Sequence, residues 1–90
     1  MVVREAVVPI VNRLGLHARP AAEFVKTAAR FAAAIMVRKD ALEVNGKSIM
    51  GMMMLAAECG SSLAIRAEGE DAEAALDALR ALVAAGFGEE

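Results

Sequence analysis

Two hydrophobic periods alternate along the chain. Val2 to Val11 is rich in β-branched residues and predicts a strand. Pro9 lacks an N–H, which places it at the strand's end or on a sheet edge. A loop from Asn12 to His17 follows, turning at Gly15. Pro20 suits the first turn of a helix, where its missing donor costs nothing. Ala21, Phe24, Val25, Ala28 and Ala29 then recur at helical spacing, with Glu23, Lys26, Thr27 and Arg30 on the wet face. Ala33 to Arg38 and Leu42 to Asn45 predict two short strands joined by Lys39, Asp40 and Ala41. Asn45-Gly46 is a turn signal. Ser48 is placed to cap a short helix from Ile49 to about Ala56. Leu63, Ile65 and Ala67 alternate with Ala64, Arg66 and Glu68, the mark of a half-buried strand. A last helix starts at Glu70 or Asp71, aligns Ala72, Ala75, Leu76, Leu79, Leu82 and Val83, and stops at Gly86.

The order β-α-β-β-α-β-α predicts an α+β fold, one sheet with its helices packed on one face. The strands flanking the first helix lie parallel if they share a sheet, with room for the last strand between them. Ninety residues make this one domain, residues 1–90. Hydrophobic residues are 58% of the chain, so disorder is excluded, but aromatics are only 3%. Phe24, Phe31 and Phe87 must therefore be the largest pieces of an aliphatic core. The longest apolar run, Ile49 to Ala57, falls well short of the roughly 20 residues that span a bilayer. The opening Val2-Val3-Arg4-Glu5 does not read as a secretory signal. The single cysteine, Cys59, allows no internal disulfide, fits a reducing cytoplasm, and is expected to be buried or half-buried.

The net charge of −2 conceals an asymmetry. Residues 1–47 carry +4, and residues 48–90 carry −6. Without a broad basic stripe or stacking aromatics, nucleic-acid binding is excluded. A basic half suits an acidic partner or a phosphate.

The only histidine sits in Leu14-Gly15-Leu16-His17-Ala18-Arg19-Pro20-Ala21, between a glycine loop and a helix start. A helix N-terminus offers free N–H groups and partial positive charge, an environment that attracts phosphate. It also disfavours an imidazolium, and no carboxylate stands close in sequence. The expectation is a neutral nucleophile that accepts a phosphoryl group and holds it loosely. The amides of Ala18 and Arg19 and the Arg19 guanidinium would steady the arriving charge. The ordinary alternative is a surface or capping histidine. A catalytic metal site is not supported, since such sites use three protein ligands, and no cofactor is called for. No serine stands in a Gly-x-Ser-x-Gly elbow, and 90 residues leave no second lobe to form a hydrolase cleft.

Gly15-Leu16-His17-Ala18-Arg19-Pro20-Ala21 resembles the active-site motif of the HPr family, the histidine-containing phosphocarriers of the bacterial phosphoenolpyruvate-dependent phosphotransferase system. Asn45-Gly46-Lys47-Ser48-Ile49-Met50-Gly51 resembles that family's regulatory-serine region. Length and element order match too, so the resemblance covers essentially the whole chain. It implies an open-faced sandwich with a four-stranded antiparallel sheet, order 1-4-2-3, and three helices on one face. It also implies that His17 takes a phosphoryl group on Nδ1 from enzyme I and passes it to enzyme IIA proteins. Arg19 matches the arginine that screens the phosphoryl group, and Ser48 matches the serine that a dedicated kinase modifies in some relatives. Many relatives carry Thr or Ser after the histidine, where this chain has Ala18. That removes one hydroxyl ligand. The methionine-rich stretch Met52-Met53-Met54-Leu55-Ala56-Ala57 and the acidic tail Gly86-Phe87-Gly88-Glu89-Glu90 resemble proteobacterial chains, the nitrogen-related branch among them. A regulatory binding module using the same face is the alternative that His17 and Arg19 argue against.

A carrier must meet two unrelated partners, which an adaptable apolar patch rimmed with positive charge would serve. Ile49, Met50 and Met53 are the expected exposed members, with Met52 and Leu55 in the core. The competing reading makes the whole methionine stripe core. Leu16 and Ala21 are expected to extend the patch toward His17, and Lys26 and Lys47 to join Arg19 on its rim. The chain is expected to act as a cytoplasmic monomer.

Overall fold

The computed structural model describes residues 2–89. Strand β1 (Val3–Pro9) is followed by helix α1 (Ala18–Ala28), strands β2 (Ala34–Lys39) and β3 (Leu42–Asn45), helix α2 (Ile49–Met54), strand β4 (Ser62–Glu68) and helix α3 (Ala72–Ala84). A 3-10 turn, Gly86–Gly88, closes the order. The strands form one sheet in the order β1-β4-β2-β3. Every neighbouring pair is antiparallel, so β1 and β2 run parallel on either side of β4, as the element order implied. This is the expected open-faced sandwich, with its three helices on one side.

Ile65 stands at the centre, opposite Ala6 on one side and Val37 on the other. The inward residues of β4, Leu63, Ile65 and Ala67, are fully buried, as their alternation predicted. Ile35, Val37 and Val44 continue that face. The outward face is wet and charge-matched: Glu5 lies opposite Arg66, and Arg38 opposite Glu43. Opposite charges across a strand pair stabilise the register and keep this face from being a second core.

The helices cover the inner face. Pro20, Ala21, Phe24 and Ala28 bury one side of α1. Ala72, Ala75, Leu76, Leu79 and Val83 do the same for α3, close to the predicted set. The α1 stripe is narrower than expected, with Val25 half-buried and Ala29 exposed. The largest buried side chain is Phe24, while Phe31 is only partly buried, with the Arg30 guanidinium 5.7 Å from its ring centre. Small residues on both helices let their backbones approach the sheet, which is how an aliphatic core closes with one fully buried phenylalanine.

Most boundaries differ from the sequence reading by one or two residues. The largest differences are that β1 ends at Pro9 rather than Val11 and α2 at Met54 rather than about Ala56, while Pro20 lies in the first turn of α1 as expected. Cys59 is exposed, contrary to expectation, because it sits in the turn between α2 and β4. Asp71 precedes α3 as predicted, yet its carboxylate caps nothing there. It accepts the backbone N–H groups of Ala32 and Ala33, each at 2.8 Å, and so ties the α1–β2 connection to the start of α3.

Two hydrogen bonds from backbone to an ionised acid make Asp71 a specific stabiliser. Asp71→Ala is expected to lower stability by about 1–3 kcal/mol in a urea melt. A change within about 0.5 kcal/mol, the usual range for surface substitutions, would show that the two bonds are replaced by water at no cost.

Candidate functional site

The site is built from the turn after β1. Gly15 N–H donates to the Asn12 carbonyl at 3.0 Å, and the Asn12 side-chain Nδ2 donates to the Gly15 carbonyl at 2.7 Å. Gly15 has φ +69°, and a Cβ there would lie 2.6 Å from the Ala57 carbonyl oxygen. Only glycine fits that approach. The next amide, Leu16 N–H, donates to the same Ala57 oxygen at 2.7 Å.

His17 follows as the N-cap of α1, in extended conformation, and its carbonyl accepts the first helical bond from Ala21 N–H at 3.0 Å. No side chain caps the helix. The amides of Ala18 and Arg19 open it, with no preceding turn to accept them. Pro20, third in the helix, has no N–H to leave unpaired. The His17 side chain is 38% exposed, and Arg19 is exposed. Among the described residues Arg19 has no ion-pair partner, so its guanidinium is free to meet an anion.

The sequence reading missed a carboxylate. Glu89 packs against His17, with both of its oxygens 3.0 Å from Nε2. Asn12, 1% exposed, also donates its Nδ2 to Glu89 Oε1 at 3.0 Å. The hydrogen bond to His17 holds the Glu89 carboxyl below its ordinary value against partial burial, helped by Asn12 and by the charge of His17 and Arg19. The contact's contribution is therefore present above the ordinary carboxylate range and is lost as pH falls through that lowered value.

The tail reaches the site by a sharp reversal. Gly86, Phe87 and Gly88 all have positive φ, at 63°, 57° and 77°. For Phe87 this backbone costs about 1–2 kcal/mol, and burial of its ring in the core holds it there. The signal in the sequence was a lone aromatic between two glycines ahead of an acid. It showed a stop but not where the chain goes next. Glu90, the other acid of the tail, lies outside the described residues.

The apolar patch is present but differently composed. Ile49, Met50 and Met53 are exposed, at 44%, 77% and 45%, while Met52 and Leu55 are buried, as expected. Met54, at 65%, joins the exposed set. Leu16 and Ala21 do not. Leu16 is 5% exposed and Ala21 fully buried, so neither extends a docking surface. Leu16 is drawn inward by its bond to Ala57, and Ala21 faces the core from α1. Lys26 is exposed on α1. Lys47 is half-buried, its Nζ donating to the Phe31 carbonyl at 2.7 Å just past the end of α1, so its ammonium is not free on the rim. Ser48 caps α2: its Oγ accepts the Gly51 N–H at 3.0 Å, a bond worth about 0.5–2 kcal/mol against alanine.

The open-faced sandwich thus presents the one histidine of the chain at an open helix start, beside an arginine that has no ion-pair partner among the described residues. Comparison with known proteins identifies the family. Residues 4–85 match the family model described as the PTS HPr component phosphorylation site. The phosphocarrier protein HPr of Treponema pallidum is 51% identical over 83 residues, 92% of this chain and 94% of that protein. The HPr of Cupriavidus necator is 45% identical over 80 residues, covering 89% and 90%. The crystal structure of HPr-C-His from Thermoanaerobacter tengcongensis superposes with a TM-score of 0.93 at 49% identity, covering 97% of this chain and 98% of that one. The chain belongs to the HPr family.

Proposed function

We propose that the chain is a phosphocarrier of the phosphotransferase system, taking a phosphoryl group from enzyme I on His17 and passing it to enzyme IIA proteins of the sugar branch. Enzyme I is itself charged by phosphoenolpyruvate. The observation that carries the reading is the partly exposed His17 ring at the open start of α1, beside Arg19, which has no ion-pair partner among the described residues, in a member of this family. A regulatory binding module would need the docking face alone and neither His17 nor Arg19. The phosphoryl group brings two negative charges or nearly so. The amides of Ala18 and Arg19 and the Arg19 guanidinium receive them through charge-assisted hydrogen bonds. Ile49, Met50 and Met53 supply the apolar part of docking, with Met54 at its edge. Lys26 acts at longer range, by steering. One copy presents both the nucleophile and the patch, and the cytoplasm is its setting. No helix among the described residues is long and apolar enough to cross a membrane.

Ser48 is the regulatory position of this reading. A phosphate there adds about −1.5 to −2 charges at neutral pH beside Ile49 and Met50. The α2 start tolerates that charge, but an acidic partner surface does not.

The direct test mixes the protein with enzyme I and phosphoenolpyruvate and looks for an acid-labile, base-stable phosphoryl group. His17→Ala is expected to abolish charging while changing stability by no more than about 1 kcal/mol, the worth of one half-exposed hydrogen bond. Substantial residual charging would reject His17 as the acceptor.

Arg19→Glu is expected to slow charging far more than Lys26→Glu. Salt screens exposed charges over about 8–10 Å, so raising it shrinks the Lys26 effect and leaves most of the Arg19 effect. Equal defects with equal salt dependence would contradict the two roles.

Ser48→Asp is expected to keep the fold and raise the Michaelis constant for charging by enzyme I. A constant equal to that of wild type at low salt would place the docking patch elsewhere.

A further inference from the structure

The tail of the molecule brings a carboxylate to the one histidine of the chain, and its chemistry at that position is specific. Both Glu89 oxygens lie 3.0 Å from Nε2. An ionised carboxylate only accepts hydrogen bonds, so Nε2 is the ring nitrogen that carries the proton. In the neutral ring this leaves the lone pair on Nδ1. We propose that Glu89 is a positioning residue for phosphoryl transfer, which holds the proton on Nε2, occupies that nitrogen, and directs phosphorus to Nδ1. The proposal rests on His17 being the acceptor.

Glu89 is held firmly enough to do this. Its Oε1 takes the Nδ2 proton of Asn12 at 3.0 Å, and Asn12 is buried and hydrogen-bonded to the Gly15 carbonyl at 2.7 Å. Two acceptors on one side of Asn12 require its NH2 group there, which sets the amide's orientation. The Gly15 turn, Asn12, Glu89 and His17 are thus one connected set. The buried Phe87, two residues before Glu89, ties this segment to the core.

In the transfer step the Nδ1 lone pair forms the N–P bond. The bond between phosphorus and its donor atom breaks, and that electron pair leaves with the donor. Nε2 keeps its proton throughout, and the ring gains positive charge that faces Glu89. The carboxylate orients the imidazole and stabilises the charge that forms, as the aspartate does in a Ser-His-Asp triad. Arg19 and the α1 amides serve the phosphoryl group, while Glu89 serves the ring.

The test removes the protein partner. Phosphoramidate phosphorylates imidazoles directly: Nδ1 attacks phosphorus, the P–N bond breaks, and ammonia leaves. With one histidine in the chain, 15N and 31P NMR then report which ring nitrogen carries the group. Wild type is expected to carry it on Nδ1. Glu89→Ala is expected to give a substantial Nε2 product. Glu89→Gln, which keeps a hydrogen-bonding group but can donate as well as accept, is expected to give an intermediate mixture. With enzyme I as donor, Glu89→Ala is expected to lower kcat several-fold with KM within about twofold, since the α2 patch is untouched. Glu89→Ala labelled on Nδ1 alone at the wild-type rate overturns the proposal, as does wild type labelled on Nε2. If enzyme I fails to charge wild type, the carrier reading falls, and the phosphoramidate arm still decides the role of Glu89.

Discussion

The site depends on one close approach between two loops. The β1–α1 turn meets the α2–β4 connection where Gly15 passes the Ala57 carbonyl, leaving no room for a Cβ. The Leu16 amide then bonds that same oxygen. The join is backbone to backbone, so it does not depend on flexible side chains. It fixes where His17 emerges relative to the end of α2, and so ties the position of that ring to the helix that carries the apolar patch. A carrier that meets two partners needs these two features in constant relation. Two further bonds, Ile10 N–H to the Ser61 carbonyl and Gly60 N–H to the Ile10 carbonyl, both 2.8 Å, join the same two connections from the sheet side.

That approach also explains which site residues could be read from the sequence. The placement of His17 and Arg19 could be, because it is local: a histidine and an arginine at a helix start between a glycine and a proline. Ser48 could be, because N-capping is local as well. The burial split of α2, with Met52 and Leu55 inside and Ile49 and Met50 outside, follows from helical geometry alone. Leu16 could not be, because an apolar residue in a loop beside a polar one carries no local mark of burial, yet it is buried. A loop residue whose amide is drawn to another loop is pulled inward, and nothing in the local pattern says so. Asp71 was read as the opening of α3, which is true of its place and not of its hydrogen bonds. Its partners lie across the molecule, beyond the reach of any local signal.

Glu89 is the fullest case of that limit. Its partner is 72 residues away, and the contact needs three successive residues at positive φ. Two are glycines and accept this freely. The third, Phe87, accepts it because its ring is buried, a fact that exists only in the folded chain. The reversal is therefore a consequence of the core as much as of the turn.

The charge asymmetry of the sequence takes on a different meaning in the fold. A basic first half and an acidic second half suggested a basic face turned to a partner. The structure interleaves them instead. Lys47 is committed to the Phe31 carbonyl, where a cation suits the end of α1, and Arg66 faces Glu43 across the sheet at 3.9 Å. The acidic half returns one carboxylate, Glu89, to the centre of the basic site. A phosphoryl group on His17 would need positive charge around its oxygens, and the ring beneath it needs negative charge at its other nitrogen. Positive charge alone would favour the phosphoryl oxygens and oppose the charged ring. A site with Arg19 and the helix amides for one and Glu89 for the other can satisfy both within a single side chain's length.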